Sequence, residues 1–81
     1  MSIKFTKHAL QRMKARNISK DEIIEAINYP DNLLNDSYKN KIAHKVKMKY
    51  LLRVFYYLEG NSKIVITAYK TTKIDKYISN P

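Results

Sequence analysis

The hydrophobic positions change period along the chain, from helical spacing before Pro30 to alternation after Asp31. In Thr6 to Arg16, Ala9, Leu10 and Met13 fall on one side of a helix, while His8, Arg12 and Arg16, at i, i+4 and i+8, form an adjoining cationic stripe. Thr6 suits the N-cap, and Asn17 tolerates the left-handed conformation of a C-cap. Ser19-Lys20-Asp21-Glu22 is a capping box with Ile18 and Ile23 placed for a hydrophobic staple, so a second helix starts at Ser19 or Lys20. Ile23, Ile24, Ala26 and Ile27 give it an apolar face, and Pro30 ends it by pushing Tyr29 out of the α region.

Ahead of the helices, Ile3 and Phe5 alternate within Met1 to Phe5, a short strand or an extended lead-in. After them, Leu33 and Leu34 mark a weak strand, and a polar turn follows around Ser37 to Asn40. Lys41 to Lys49 then alternates, with Ile42, His44, Val46 and Met48 on one face and Lys41, Lys45, Lys47 and Lys49 on the other. That pattern predicts a half-buried antiparallel strand with a lysine-lined outer face. Tyr50 to Leu58, apolar on both faces except at Arg53, reads as a central strand. Glu59 to Ser62, with the chain's one glycine, reads as a hairpin turn into a last strand over Lys63 to Lys70. In the tail, Thr71 to Pro81, Ile74, Tyr77 and Ile78 suit a short C-terminal helix or an extended edge segment. The expected fold is α+β in a single domain spanning residues 1–81. An N-terminal helical hairpin packs on one face of a three- to four-stranded antiparallel sheet, and the other face is basic and partly open.

With 81 residues, a chain buries only about 60 to 65% of its unfolded surface, so a partner or self-association into a homo-oligomer would help stabilise it. The absence of cysteine excludes a disulfide scaffold, a thiolate zinc site and a cysteine nucleophile. The opening residues lack a signal peptide's apolar run, and nothing approaches a membrane span, so a soluble cytoplasmic protein is expected. Charge sharpens this picture. The net charge is +9, and the second half, residues 41–81, carries nine Lys/Arg against two Asp/Glu. Such asymmetry points to a polyanion, with nucleic acid ahead of an acidic membrane.

One glycine is too few for a phosphate-cradling loop or a dinucleotide fingerprint, and scattered carboxylates with two histidines make a poor metal site. No cofactor is expected. Cations and tyrosines remain. Lys45 and Lys47 share a strand face, an antiparallel hairpin could bring them near Arg53, and Tyr57 projects to Arg53's side. Tyr69 and Lys70 follow on the next strand, and Lys41, Lys49 and Lys73 extend the basic surface, with Arg12 and Arg16 on the opening helix. A surface of this kind can hold phosphate while tyrosines stack on bases. It can also cleave RNA without metal, by attack of the ribose 2′-hydroxyl on the adjacent phosphate, with Arg53 neutralising the phosphorane oxygens and a crowded lysine as base. Each residue has a plainer role as well. Strand lysines protect edges, tyrosines of a central strand usually belong to the core, and His44, on the apolar side, suits a buried, hydrogen-bonded histidine.

The pattern Phe5-Thr6-x-His8-Ala9-x-x-Arg12-Met13-x-x-Arg16-x-Ile18-Ser19, with Glu25-Ala26-Ile27, Pro30-Asp31 and Val65-Ile66-Thr67-Ala68-Tyr69, resembles a widespread uncharacterised family of small bacterial and archaeal domains. That family is related to the BrnT toxins and more distantly to the RelE/ParE superfamily. The resemblance implies a RelE-like α+β fold and a toxin of a toxin-antitoxin pair that cuts RNA, including ribosome-bound mRNA, and is neutralised by a cognate antitoxin protein. It also implies working residues at Lys45, Lys47, Arg53 and either Tyr69 or Tyr77; the ribonuclease reading adds His8 on the opening helix as a further proton carrier. Two alternatives stand beside this one: a non-catalytic nucleic-acid-binding or regulatory module, and a ParE-like toxin directed at a protein such as gyrase.

Overall fold

The computed structural model describes residues 2–78. Met1 and residues 79–81, which belong to the expected first strand and tail, lie outside that range. Its elements run β1 (Ser2–Phe5), α1 (Lys7–Arg16), α2 (Lys20–Asn28), β2 (Asn32–Asn35), β3 (Lys41–Val46), β4 (Leu51–Glu59), β5 (Ser62–Thr71) and α3 (Ile74–Tyr77). The class is α+β as expected, but the sheet has five strands, in the order β1-β5-β4-β3-β2. β1 joins it parallel to β5, so the sheet is mixed rather than antiparallel.

Both long helices start where side-chain caps satisfy free N–H groups. Thr6 Oγ1 accepts from the Ala9 N–H at 3.0 Å, and Asn17 closes α1 at φ 55°. In α2, Glu22 N–H donates to Ser19 Oγ at 3.1 Å while Ser19 N–H donates to Glu22 Oε1 at 3.0 Å, the full capping box. The staple residues Ile18 and Ile23 are both buried. α2 stops at Asn28, before Pro30. Gly60, at φ 58°, supplies the left-handed turn between β4 and β5.

The expected hairpin resolves into two helices that pack on different strands: α1 lies against β5, and α2 covers β3 and β4. Beneath them, Ala9, Met13, Ile18, Ile23, Ala26 and Ile27 meet Ala43, Leu52, Val54, Tyr56, Val65 and Ala68 in one core. Leu10, expected in the core, is 41% exposed. α1 buries only the Ala9 and Met13 stripe at the rim of the sheet, and Leu10, one position round the helix, projects outward.

Strand register decides which side faces the helices. His44 stands opposite Arg53 and Lys45 opposite Leu52, so Ala43 and Lys45 share the helix side, while Ile42 and His44 share the far side with Arg53. The lysine face is therefore the covered one, contrary to expectation. The small Ala43 side chain lets a helix approach, and Lys45 runs out to reach the Tyr29 carbonyl with Nζ at 2.8 Å. The far face carries Ile42, His44, Leu51, Arg53, Phe55, Tyr57 and Tyr69, aromatic and apolar around one arginine. Beyond β5, α3 brings Tyr77 over it. No helix among the described residues is long and apolar enough to cross a membrane.

Candidate functional site

On the far face, β3, β4 and β5 align His44, Arg53 and Tyr69 in one row across the sheet. Arg53 Nε donates to His44 Nε2 at 3.0 Å, and Arg53 Nη1 donates to the Tyr69 hydroxyl. The Tyr77 ring lies over the guanidinium, with its centroid 4.0 Å from Cζ, and the Phe55 and Tyr69 rings lie at 5.2 and 5.5 Å. Phe55 and Tyr69 also stack on each other, with centroids 6.0 Å apart. Arg53 is thus held along its edge by two hydrogen bonds and on its surface by aromatic rings, the geometry in which a guanidinium combines hydrogen bonding with cation–π contact.

The two phenols are neighbours at the guanidinium. Tyr69 accepts from Arg53, and the Tyr77 ring lies over the same group. Burial, then the neighbouring Tyr77, pushes the Tyr69 phenol up, whereas the neighbouring Tyr69 holds the Tyr77 phenol below the usual tyrosine value, helped by Lys76 and Arg53. His44 is fully buried. Burial and then the Arg53 charge lower its pKa, so it stands neutral, and the acceptor role of Nε2 assigns its proton to Nδ1. Nδ1 is buried without a hydrogen-bond partner among the described residues.

Of the residues expected to act together, the fold unites Arg53, Tyr69 and Tyr77 and sets Tyr57 half-buried two positions along from Phe55 on the same face. It separates the lysines from them. Lys45 is turned to the helix side, and Lys47 pairs with Glu25 Oε1 at 2.5 Å. Glu25 raises the Lys47 pKa, the reverse of what a lysine base requires. Lys70 also lies on the helix side, opposite Leu52, paired with Glu22 at 3.2 Å and set over the Tyr50 ring. Lys41, opposite Tyr56, shares that side, Lys49 is exposed between β3 and β4, and Lys73 is exposed at the start of α3.

The helix stripe follows the rim of β5. Arg12 Nε donates to His8 Nε2 at 3.3 Å, in the open. Arg16 Nη1 donates to the Ala68 carbonyl at 2.9 Å and to Thr67 Oγ1 at 3.4 Å. These contacts lie past Val65, where β1 stops and the β5 edge is uncovered. Thr67 stands opposite Phe55, so Arg16 touches the margin of the Arg53 face while bracing α1 on the sheet. His44 as the partner of Arg53 was missed by sequence reasoning, because only register places the two residues opposite each other. No group of three or more His, Asp or Glu that could hold a metal occurs among the described residues.

The model of one protein family, a domain of unknown function (DUF4258), matches residues 5–70, a stretch that takes in His44, Arg53 and Tyr69 and ends before Tyr77. No curated protein and no solved structure matches the chain.

Proposed function

Since the chain belongs to the DUF4258 family, we propose that it is the toxin of a toxin-antitoxin pair, related to the BrnT and RelE/ParE toxins, and that it cleaves RNA without a metal. The observation that carries this reading is the Arg53–Tyr69–Tyr77 arrangement on the sheet face opposite α1 and α2. Arg53 has five N–H donors and uses Nε and one Nη1 donor internally, which leaves others for phosphate oxygens. As the ribose 2′-oxygen bonds to phosphorus, its proton passes to solvent and charge builds on the phosphorane, where Arg53 balances it. The bond from phosphorus to the 5′-oxygen then breaks, and Tyr77 gives that oxygen its proton. The Tyr77 phenolate left behind is stabilised by the neighbouring Tyr69 and by the charges of Lys76 and Arg53, the same neighbours that lower its pKa. Arg12 and Arg16 line the approach along β5, where an RNA backbone can lie. Neutralisation in the cell falls to a cognate antitoxin protein.

The test is incubation of the purified protein with single-stranded RNA in excess EDTA. Cleavage leaving 2′,3′-cyclic phosphate ends is expected, and Arg53→Ala and Tyr77→Phe each slow it by about 100-fold or more. Salt-sensitive binding without cleavage at any pH overturns the ribonuclease reading in favour of a non-catalytic nucleic-acid-binding module. Neither binding nor cleavage leaves a protein target of the ParE kind.

A further inference from the structure

His44 is the one fully buried ionisable side chain described, and the proposed chemistry gives it no proton to move. Its surroundings are specific. Nε2 accepts from Arg53 Nε at 3.0 Å, and Nδ1 has no partner among the described residues. Across β4, the next titratable group is Tyr69, which takes the other end of the same guanidinium, and from α3 Tyr77 covers that guanidinium. On the β2 side, Asn32 stands opposite His44. Asp31, just before it, sends its N–H to the His44 carbonyl and its carboxylate to the Val46 N–H at 2.7 Å. Hence the only charge in hydrogen-bond contact with the imidazole, among the described residues, is positive.

We infer that His44 is the positioning residue of the site: its neutral imidazole fixes the Arg53 guanidinium toward the open face, and its protonation releases Arg53. The tie to RNA chemistry rests on the function proposed above; the coupling of the two side chains does not. A second proton must go on Nε2, the atom that accepts from Arg53, so the imidazolium directs an N–H at an N–H and sets two cations about 3 Å apart. With Nδ1 unpartnered, the imidazolium gains no compensating acceptor. Burial works in the same direction as the arginine, so the exchange falls on the acid side of an ordinary histidine. Arg53 is the group that gives way, because its long side chain ends at a partly open surface while His44 is enclosed in the sheet.

The experiment follows the Arg53 Nε–H resonance, assigned by its loss in Arg53→Lys, and the His44 ring nitrogens by NMR of the intact protein between pH 7.5 and 4.5. The Arg53 signal is expected to be distinct at high pH and to move toward the position of a solvated arginine as the imidazole titrates, the two curves sharing one midpoint. In His44→Gln, whose side-chain oxygen offers a non-titrating acceptor, the Arg53 signal stays put across the range. Cleavage of RNA falls by up to about tenfold per pH unit below that midpoint in the wild type, and this limb is absent in the glutamine variant. An Arg53 signal that ignores His44 titration in the wild type overturns the inference whether or not the variant folds. The same acid limb persisting in a folded His44→Gln also overturns it. Coupled titration in a protein that cuts no RNA at any pH keeps the inference and removes the ribonuclease reading.

Discussion

Arg53 spends its edge and its face differently. Two in-plane donors go to His44 and Tyr69, the Tyr77 ring lies over the π surface, and the remaining in-plane N–H groups have no hydrogen-bond partner among the described residues. Lys45, Lys47 and Lys70 are a different case, since their charge is already answered by the Tyr29 carbonyl, Glu25 and Glu22. Lys47→Ala therefore leaves the RNA cleavage rate at the wild-type value, measured at saturating RNA, while Arg53→Ala abolishes most of it. Exposed ion pairs of this type add little to stability, so the same variant melts close to the wild type. Loss of cleavage in Lys47→Ala would return the lysine to the site.

Among the elements, α2 depends most visibly on local chemistry. Its capping box holds Ser19 and Glu22 together, and Glu22 also pairs with Lys70 and receives the Tyr50 hydroxyl at 3.4 Å, which ties the helix start to β5 and to the entrance of β4. Ser19→Ala is expected to cost about 1 kcal/mol in urea unfolding, the usual penalty for losing an N-cap. The Ser19 N–H is the first cause of the lowered Glu22 pKa, followed among the lowering causes by Lys70. Because the folded-state pKa is depressed, this contribution is complete above the ordinary glutamate value and is lost as pH falls through the folded one. In Glu22→Gln, which removes the titrating carboxylate, the dependence of stability on pH below about 4.5 is correspondingly shallower. Helix starts, helix ends and the Gly60 turn were legible in the sequence for this reason: each is decided by contacts within about five residues.

Across the whole molecule, the sheet separates Lys45, Lys47 and Lys70, held at α2 on one side, from Arg53 on the other side and from Arg12 and Arg16 along its rim. The +9 net charge thus overstates the number of phosphates engaged. For contacts from Arg12, Arg16 and Arg53, the slope of log affinity against log salt on single-stranded RNA is expected near about −2, and Arg12→Ala makes it shallower by about 0.7. A slope several times steeper would mean that the lysine side also binds. The amino-acid pattern by itself determined the α+β class, the run of elements from α1 to β5, both helix caps and the shared side of Arg53 and Tyr57, because these follow from chain-local periodicity and capping, while it left β1 and α3 open between regular and extended structure. It was silent on the rest. Alternation along Lys41 to Val46 defines two faces but not which of them a helix covers, and that was decided by the fit of α2 over Ala43. The parallel seat of β1 beside β5 and the meeting of His44, Arg53, Tyr69 and Tyr77 depend on strand order, register and the path of α3. Those contacts join residues far apart in the chain, and only the packed sheet sets the distance between them.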